Sequence, residues 1–287
     1  MTHLTTRTIA GSAHARHGHP GAEHQDRWER LRGDLHLVRR QIRFEQRAFW
    51  RNRSRAIAAV ALPLMFLVVF NAINGGHRID EMGGITYATW FVPGILAYGL
   101  IMATFANVAV GTSIARDSGV LKRTRITPLP SWVFLAGAIG SSLLTAAVLV
   151  TATLGIGVVA YGVRIPAGTS ASLVATLALG AVCCAVLGLA ATSAIRNAQS
   201  ANAMVNLVVL PLTFISGIWF VLDGAPRWLE LTAEAFPVRA IAHSLQHATD
   251  PATVGSGFVL ADMLTLVAWT VFGALAFLRW FRWEPFR

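Results

Sequence analysis

Residues 132–161 read WVFLAGAIGSSLLTAAVLVTATLGIGVVAY, a stretch without a single charged side chain. A helix needs about 20 mostly apolar residues to cross the roughly 30 Å of hydrocarbon in a bilayer, because each residue adds about 1.5 Å. This stretch therefore predicts a transmembrane helix. Five further stretches have the same character, at about 56–73, 88–114, 172–195, 201–222 and 258–278. The sequence thus predicts an all-α membrane protein with six transmembrane helices between residues 56 and 281.

The composition agrees with a lipid environment. Of the 287 residues, 54% are hydrophobic and 13% are charged, which is too little polar material to cover a soluble fold of this size. The formal net charge of +10 raises the question of a nucleic-acid partner. Half of the 24 basic residues, however, precede residue 56, next to the first predicted span. We therefore expect a membrane lipid surface as the partner of this charge and no nucleic acid.

The distribution of charge also orients the spans. If the N-terminus is inside the cell, the cytoplasmic stretches hold 20 of the 24 basic residues and the external loops hold four. Cytoplasmic loops of membrane proteins carry an excess of Lys and Arg. Residues 1–55 also lack the apolar core and cleavage site of a secretory signal. We therefore predict a multi-pass protein of the bacterial cytoplasmic membrane with both termini, including a short tail at 282–287, in the cytoplasm.

The region before the first span divides into two parts. Residues 1–25 are rich in His, Gly, Thr and Ala, and we expect a disordered cytoplasmic tail rather than a metal site. Residues 26–55 carry apolar side chains three and four positions apart, which is typical of one helix face, at Trp28, Leu31, Leu35, Val38 and Ile42. With arginines on the remaining surface, this pattern predicts an amphipathic helix at the membrane surface; a plain soluble helix is the alternative.

The cytoplasmic stretch 116–130 reads RDSGVLKRTRITPLP. Asp117 is placed to cap a short helix that Pro128 and Pro130 end. Along that helix Val120 and Leu121 form an apolar edge among basic side chains, at Lys122, Arg123 and Arg125. A short helix of mixed basic and apolar character is suited to docking on a soluble partner. The alternative is that its charges only set the membrane topology.

The stretch between the last two spans contains two helical pieces too short to cross a bilayer. Pro237 separates them, and Val238, Ile241 and Leu245 form an apolar stripe along the second. The pattern predicts a re-entrant helical hairpin in the outer leaflet. It would form an exit gate or only a surface plug, and the residues that we assign to it are Trp228, Phe236, Pro237 and Ile241.

Few polar side chains fall within the spans. Asn202 and Asn206, four residues apart in span five, and Asn107 in span two would line a substrate path or hydrogen-bond between helices. Asp262 opens the last span, and we expect an interfacial or helix-pairing role rather than a direct part in transport. The near absence of other charges within the spans indicates that energy for any transport enters from outside the membrane.

The chain lacks the motifs of several chemistries. It has no phosphate-binding P-loop, since its one lysine, Lys122, follows a leucine, and it has no His-Glu-x-x-His metal motif. Ser216 in span five has no histidine within the spans to serve as its base. The adjacent Cys183 and Cys184 are interpreted as packing residues, with a redox or metal role as the alternative. We therefore expect no catalytic residue, cofactor or metal in this chain.

The chain resembles the ABC type-2 exporter permeases, which include drug, polysaccharide and lipid exporters of bacteria. The resemblance covers about residues 36–285. It is carried by residues 116–130. There an acidic residue, a glycine, several basic residues and the sequence Thr-Pro-Leu-Pro follow one another, as in the coupling segment of that family. The stretch 229–246 resembles its re-entrant region after span five.

The resemblance implies a transporter subunit that is not itself an enzyme. Two permease copies, as a homodimer or related heterodimer, would assemble with two ATP-binding cassette subunits that hold ATP and Mg and drive a hydrophobic drug or lipid outward. Residues 26–55 would form the connecting helix, and the ATPase contact would involve Asp117, Gly119, Leu121, Lys122, Arg123 and Arg125. The alternatives are a membrane-embedded enzyme acting on lipids or peptides, and a non-transporting anchor subunit.

Overall fold

The structure, a computed structural model, describes residues 20–74, 76–79, 84–122, 131–221, 224 and 226–281, without the side chains of residues 20–33, 54, 55, 58 and 131. These residues are almost all helical, which confirms the predicted class. The exception is one small antiparallel pair of strands, β1 (Arg78–Ile79) and β2 (Ile85–Thr86), between the first two predicted spans.

The first helix, α1 (Pro20–Arg51), begins before the predicted start at residue 26 and ends at a break at Asn52. Of the tail predicted to be disordered, residues 20–25 belong to this helix. Residues 1–19 lie outside the described residues. The chain divides into two compact units between Leu37 and Val38, so only the second half of α1 belongs to the unit that holds the spans.

This second half of α1 packs against α5 (Ser131–Tyr161). The contact is close because Gly137 and Gly140 of α5 have no side chains; a Cβ on Gly140 would lie 2.6 Å from the Ile42 side chain. Gln46 also donates to Ser141 O at 2.5 Å. Within the second unit, the predicted apolar face is therefore packed at Ile42.

Five helical stretches among the described residues are long and apolar enough to cross a membrane, namely Tyr87–Asp117, Trp132–Tyr161, Ala167–Ala191, Ala198–Ile215 and Leu260–Trp280. The first predicted span forms α2 (Arg53–Asn74), of which the apolar part, Ala59–Asn74, is shorter. In α2 the side-chain N–H groups of Asn71 and Asn74 donate to the carbonyls of Leu67 and Phe70, whereas the buried Asn71 Oδ1 has no hydrogen-bond partner among the described residues. The number of six spans stays a prediction.

The second predicted span is the centre of the fold. It is one continuous rod built from α3 (Tyr87–Ile101), a π-helical turn (Met102–Ala106) and α4 (Asn107–Asp117). Its apolar stretch is 78% buried, whereas that of the last span is 11% buried. Beside the π turn, α6 (Ser170–Ala191) approaches so closely that a Cβ on Gly188 would lie 2.6 Å from Phe105 O.

Two predicted spans end earlier than expected. Span four ends at Ala191 instead of 195, and span five, α7 (Ala198–Ile215), ends at Ile215 instead of 222. Gly217 has φ of +76°, which a helix cannot accommodate, and the chain then turns so that Ile218 is fully buried. Residues 216–221 therefore form a turn, in which Ser216 and Ile218 are buried, and do not continue the span.

The region before the last span contains two short helices, as predicted. They are α8 (Arg227–Glu234) and α9 (Pro237–Thr249), and Pro237 occupies the first turn of α9. The apolar stripe of α9 is buried against α3, α6 and α10 (Leu260–Trp280), with Ile241 and Leu245 fully enclosed. Helix α9 is thus a core element rather than a surface plug.

Candidate functional site

A buried charged side chain lies where the rod of span two ends. Arg116, in the last turn of α4, is 1% exposed. Its Nη1 donates to Thr192 O at 2.8 Å and its Nη2 to Ile195 O at 2.5 Å. These carbonyls lie in the turn after α6, where backbone oxygens lack helical partners and a cation also suits the helix dipole. Arg116 therefore caps the C-terminal end of α6.

Its neighbour, Asp117, contacts the next helix along. The Asp117 Oδ2 accepts the backbone N–H of Ala198, the first residue of α7, at 2.5 Å. A carboxylate is favourable at this position because the first N–H groups of a helix are unpaired and the helix dipole is positive there. The Arg116 Nε lies 3.7 Å from Asp117 Oδ1, so the two charges also partner each other.

The cap predicted for Asp117 was therefore assigned to the wrong helix. A capping residue stands outside its helix, whereas Asp117 is the last helical residue of α4. Its side chain consequently reaches across to α7 instead of to the short helix that follows in sequence. Together Arg116 and Asp117 hold the α6–α7 junction from both sides, and we call this pair the junction clamp.

The predicted coupling segment starts directly after the junction clamp. Ser118 and Gly119 form a turn, with φ of +73° at Gly119, and a helical turn follows at residues 120–122. Leu121 is fully buried, while Lys122 is exposed. Of the predicted contacts, Leu121 thus anchors the segment and Lys122 faces outward; Arg123 and Arg125 lie outside the described residues.

The three asparagines of the predicted path are not brought together. Asn107 is half-buried in a small cavity beside α1 and α5. Asn202 and Asn206 lie exposed on one side of α7, and no side chain in the described part of the chain hydrogen-bonds to either. The same helix leaves large apolar side chains exposed, at Leu207, Leu210 and Phe214.

The four residues assigned to the exit region are also separate. Trp228 is 68% exposed on α8, whereas Ile241 is fully buried against Gly180. Phe236 stacks on Trp269 of α10 with ring centroids 5.7 Å apart, and Pro237 starts α9. They mark the two short helices but do not form one site.

Asp262, for which an interfacial or helix-pairing role was expected, pairs two helices. Its Oδ2 lies 2.8 Å from His243 Nδ1 and accepts from Ser244 Oγ at 2.7 Å, so the start of α10 is tied to α9. Trp269 Nε1 adds a second tie, to Ala235 O at 2.7 Å. The two cysteines, Cys183 and Cys184, are free and buried among the apolar side chains of the core.

A protein-family model for the ABC-2 type transporter matches residues 36–249, which include the junction clamp, the start of the coupling segment and α9. The chain belongs to the ABC-2 type transporter family. This ABC-2 protein is accordingly a membrane permease subunit of an ABC transporter, and the resemblance to the ABC type-2 permeases is confirmed. The role of the coupling segment stays a prediction.

Two curated relatives agree with this membership. The ABC-2 protein is 28% identical over 202 residues to the daunorubicin resistance ABC transporter permease protein DrrB1 of Streptomyces coeruleorubidus, covering 67% of this chain and 69% of the relative. It is 31% identical over 96 residues to the inner membrane transport permease YadH of Escherichia coli K12, covering 32% and 37%.

Sequence reasoning missed three residues of this ABC-2 protein. Arg116 was counted only as a topology charge, although its place beside Asp117 at the end of an apolar run is the signal of a buried pair. His243 and Ser244 gave no local signal, because their partner, Asp262, is far along the chain.

Proposed function

We propose that this chain is the permease subunit of an ATP-driven exporter in the bacterial cytoplasmic membrane, energised by a separate ATPase that holds ATP and Mg. The observation that carries the proposal is the junction clamp. It joins the segment that would meet the ATPase, residues 118–125, to the ends of two spans. A push on that segment is thereby transmitted to α6 and α7.

Six spans with both termini inside complete the proposed topology. Helix α2 is about 33 Å long at 1.5 Å per residue, of which its apolar part, Ala59–Asn74, covers about 24 Å. A short apolar stretch of this kind can span where the bilayer thins locally and flanking arginines reach the interface. Arginine precedes its apolar part, and the side-chain N–H groups of both of its asparagines donate to carbonyls within the helix. Counting α2 as a span places the basic N-terminal stretch and residues 118–125 on the same side.

Helix α7 is the proposed moving element and the contact with a second permease copy. Only 22% of the apolar stretch of this helix is buried. Its exposed side carries Asn202 and Asn206 beside large apolar residues. Amides facing lipid hydrocarbon are costly, because no water or protein group pairs with them. A second copy, identical or related, would cover this face and leave the amides lining a path between the two subunits.

We further propose that the cargo is a hydrophobic or amphipathic drug or lipid and that it moves outward. The name of the Streptomyces relative records drug resistance, and the exposed face of α7 is mainly apolar. Such a face suits a cargo that enters from the membrane rather than from water.

The experiment that tests this function is co-expression with a candidate ATP-binding cassette protein, chosen from the same genome by its P-loop. The two proteins should co-purify, and the permease should alter the rate of ATP hydrolysis. Joint substitution of Lys122, Arg123 and Arg125 by Gln should weaken co-purification, while Arg164→Gln, an exposed arginine of an external loop, should not.

A chain that neither binds an ATPase nor changes its rate would contradict the proposal and favour a membrane-embedded enzyme. Binding without transport in vesicles would indicate an anchor subunit.

A further inference from the structure

The second half of α1 exposes a surface made mostly of arginine. Between positions 38 and 51 the exposed side chains include five arginines, Arg39, Arg40, Arg43, Arg47 and Arg51. At about 100° per residue they fall within about 120° of the helix circumference, and they extend over about 18 Å of its axis. We call this surface the basic face.

The other side of the same helix is occupied by protein. Ile42 packs against Gly140 of α5, and Phe49 is 3% exposed. Gln46 Nε2 also donates to Thr145 Oγ1 at 3.1 Å. The apolar side chains of this half of α1 are therefore covered by the bundle, and the basic face is the side that is left for another partner.

The charges of the basic face have no counter-charge in the part of the chain that the structure describes. None of the five arginines forms a hydrogen bond or an ion pair there. The one acidic residue between positions 38 and 51 is Glu45, which accepts from Gln41 Nε2 at 3.0 Å. Glu45 also lies about 120° around the helix from the nearest arginine of the face. Five like charges on one surface favour an anionic partner.

Two exposed aromatic side chains lie near the edges of the basic face. Phe44 is 63% exposed and Trp50 is 45% exposed. Aromatic rings beside basic side chains are typical of helices at the boundary between lipid headgroups and hydrocarbon, because the rings enter the apolar layer while the charges stay at the phosphates.

The position of α1 along the spans agrees with this boundary. Helix α5 has 31 residues and is about 46 Å long, about 16 Å more than the hydrocarbon core. Helix α1 crosses it near Gly137 and Gly140, about 9–14 Å from its start. The crossing point therefore lies close to the edge of the hydrocarbon. The apolar part of the next helix, α2, begins at Ala59, shortly after α1 ends.

A lipid surface fits the basic face better than an ATPase does. In the proposed function the ATPase meets residues 118–125, beyond the end of the span-two rod. Helix α1 lies instead beside that rod, where Glu45 and Phe49 share a small cavity with Asn107 and Ala115. Asn107 is about 15 Å further into the bundle than the junction clamp, at 1.5 Å per residue.

We propose that the basic face binds the headgroups of anionic phospholipids, with its guanidinium groups paired to the lipid phosphates and with Phe44 and Trp50 against the adjacent acyl region. The binding needs no ATPase and no transport. Only the assignment of these lipids to the cytoplasmic leaflet rests on the proposed function.

The test uses the purified full chain in detergent without an ATPase. Native mass spectrometry counts the bound phosphatidylglycerol and phosphatidylcholine, added at equal concentration. Phosphatidylglycerol should bind at least about tenfold more tightly, since each arginine near an anionic lipid contributes about fivefold. Joint substitution of Arg40, Arg43 and Arg47 by Gln should remove most of this preference.

The matched control removes the same charge from other exposed positions, by joint substitution of Arg78, Arg164 and Arg227 by Gln, and should keep the preference. A single variant keeps the test decisive if the triple variant of the basic face fails to fold. Arg43→Gln should lower the preference about fivefold, whereas Arg78→Gln should not change it.

Equal binding of the two lipids, or equal preference in the basic-face and control variants, would overturn the proposal. A basic-face variant that keeps its lipid preference but no longer co-purifies with the ATPase would also overturn it, because the face would then be an ATPase contact. Failure of lipid binding leaves co-purification of the unaltered chain with the ATPase untouched, so it is distinguishable from failure of the proposed function.

Discussion

The Nη1 atom of Arg116 lies 2.8 Å from the carbonyl oxygen of Thr192, so the end of span two is bonded to the end of span four. The adjacent Asp117 bonds in turn to the start of span five. Two neighbouring residues thereby join three spans at the point where the coupling segment leaves the bundle.

Replacing Arg116 by Met should destabilise the folded protein by roughly 3 kcal/mol. The substitution leaves two buried carbonyls without donors and the Asp117 carboxylate without its cation. Thermal unfolding in detergent measures the effect. Arg279→Met, which removes an exposed arginine from α10, is the matched control and should change the melting temperature little. Equal stability of the two variants would show that the Arg116 bonds are dispensable.

Replacing Asp117 by Ala should cost about 1 kcal/mol of stability, the usual effect of losing a cap at a helix N-terminus. We expect a larger effect on transport per ATP hydrolysed, because α7 loses its bond to the coupling segment. Co-purification with the ATPase should persist. Ser118→Ala alters the next residue, whose hydroxyl donates to Ile114 O and Ala115 O of α4, and should retain normal coupling.

Replacing Gly188 by Ala should destabilise the bundle by about 1–3 kcal/mol, since the new methyl group would meet the backbone oxygen of Phe105. The matched control is Gly155→Ala in α5, where nothing lies within 4 Å of the added Cβ. That change should be neutral or stabilising by up to about 1 kcal/mol. Unfolding curves of the two variants that coincide would contradict the close approach of α6 to the rod of span two.

Replacing Asp262 by Ala should release the start of α10 from α9 and cost about 1–2 kcal/mol, a modest value because His243 is 44% exposed. Limited proteolysis between α9 and α10 should become faster. Glu234→Gln, an exposed acid at the end of α8, serves as the control. Unchanged proteolysis of the Asp262 variant would mean that the other contacts between α9 and α10 hold these helices together without it.

The helices of this protein could be predicted from the sequence because each long apolar run has one physical solution in lipid. The ends were less predictable: the run 201–222 is apolar throughout, and only the backbone angle of Gly217 shows where α7 stops. The break before Pro237 was predictable, since proline sets a helix boundary locally.

The candidate site was predictable only where it is local. The glycine, leucine and basic residues after Asp117 lie in one short stretch, so their pattern is visible. The partners of Arg116 and Asp117 are backbone groups some eighty residues away, and a backbone group leaves no signature in the sequence. The same is true of the tie between Asp262 and α9.

The most direct test of the central claim is transport of a fluorescent amphiphile by the purified permease and ATPase in proteoliposomes. Movement should require both proteins and ATP hydrolysis, and Asp117→Ala should lower the amount moved per ATP hydrolysed without loss of binding. Equal movement in the absence of the ATPase, or an unchanged ratio in the Asp117 variant, would contradict the account.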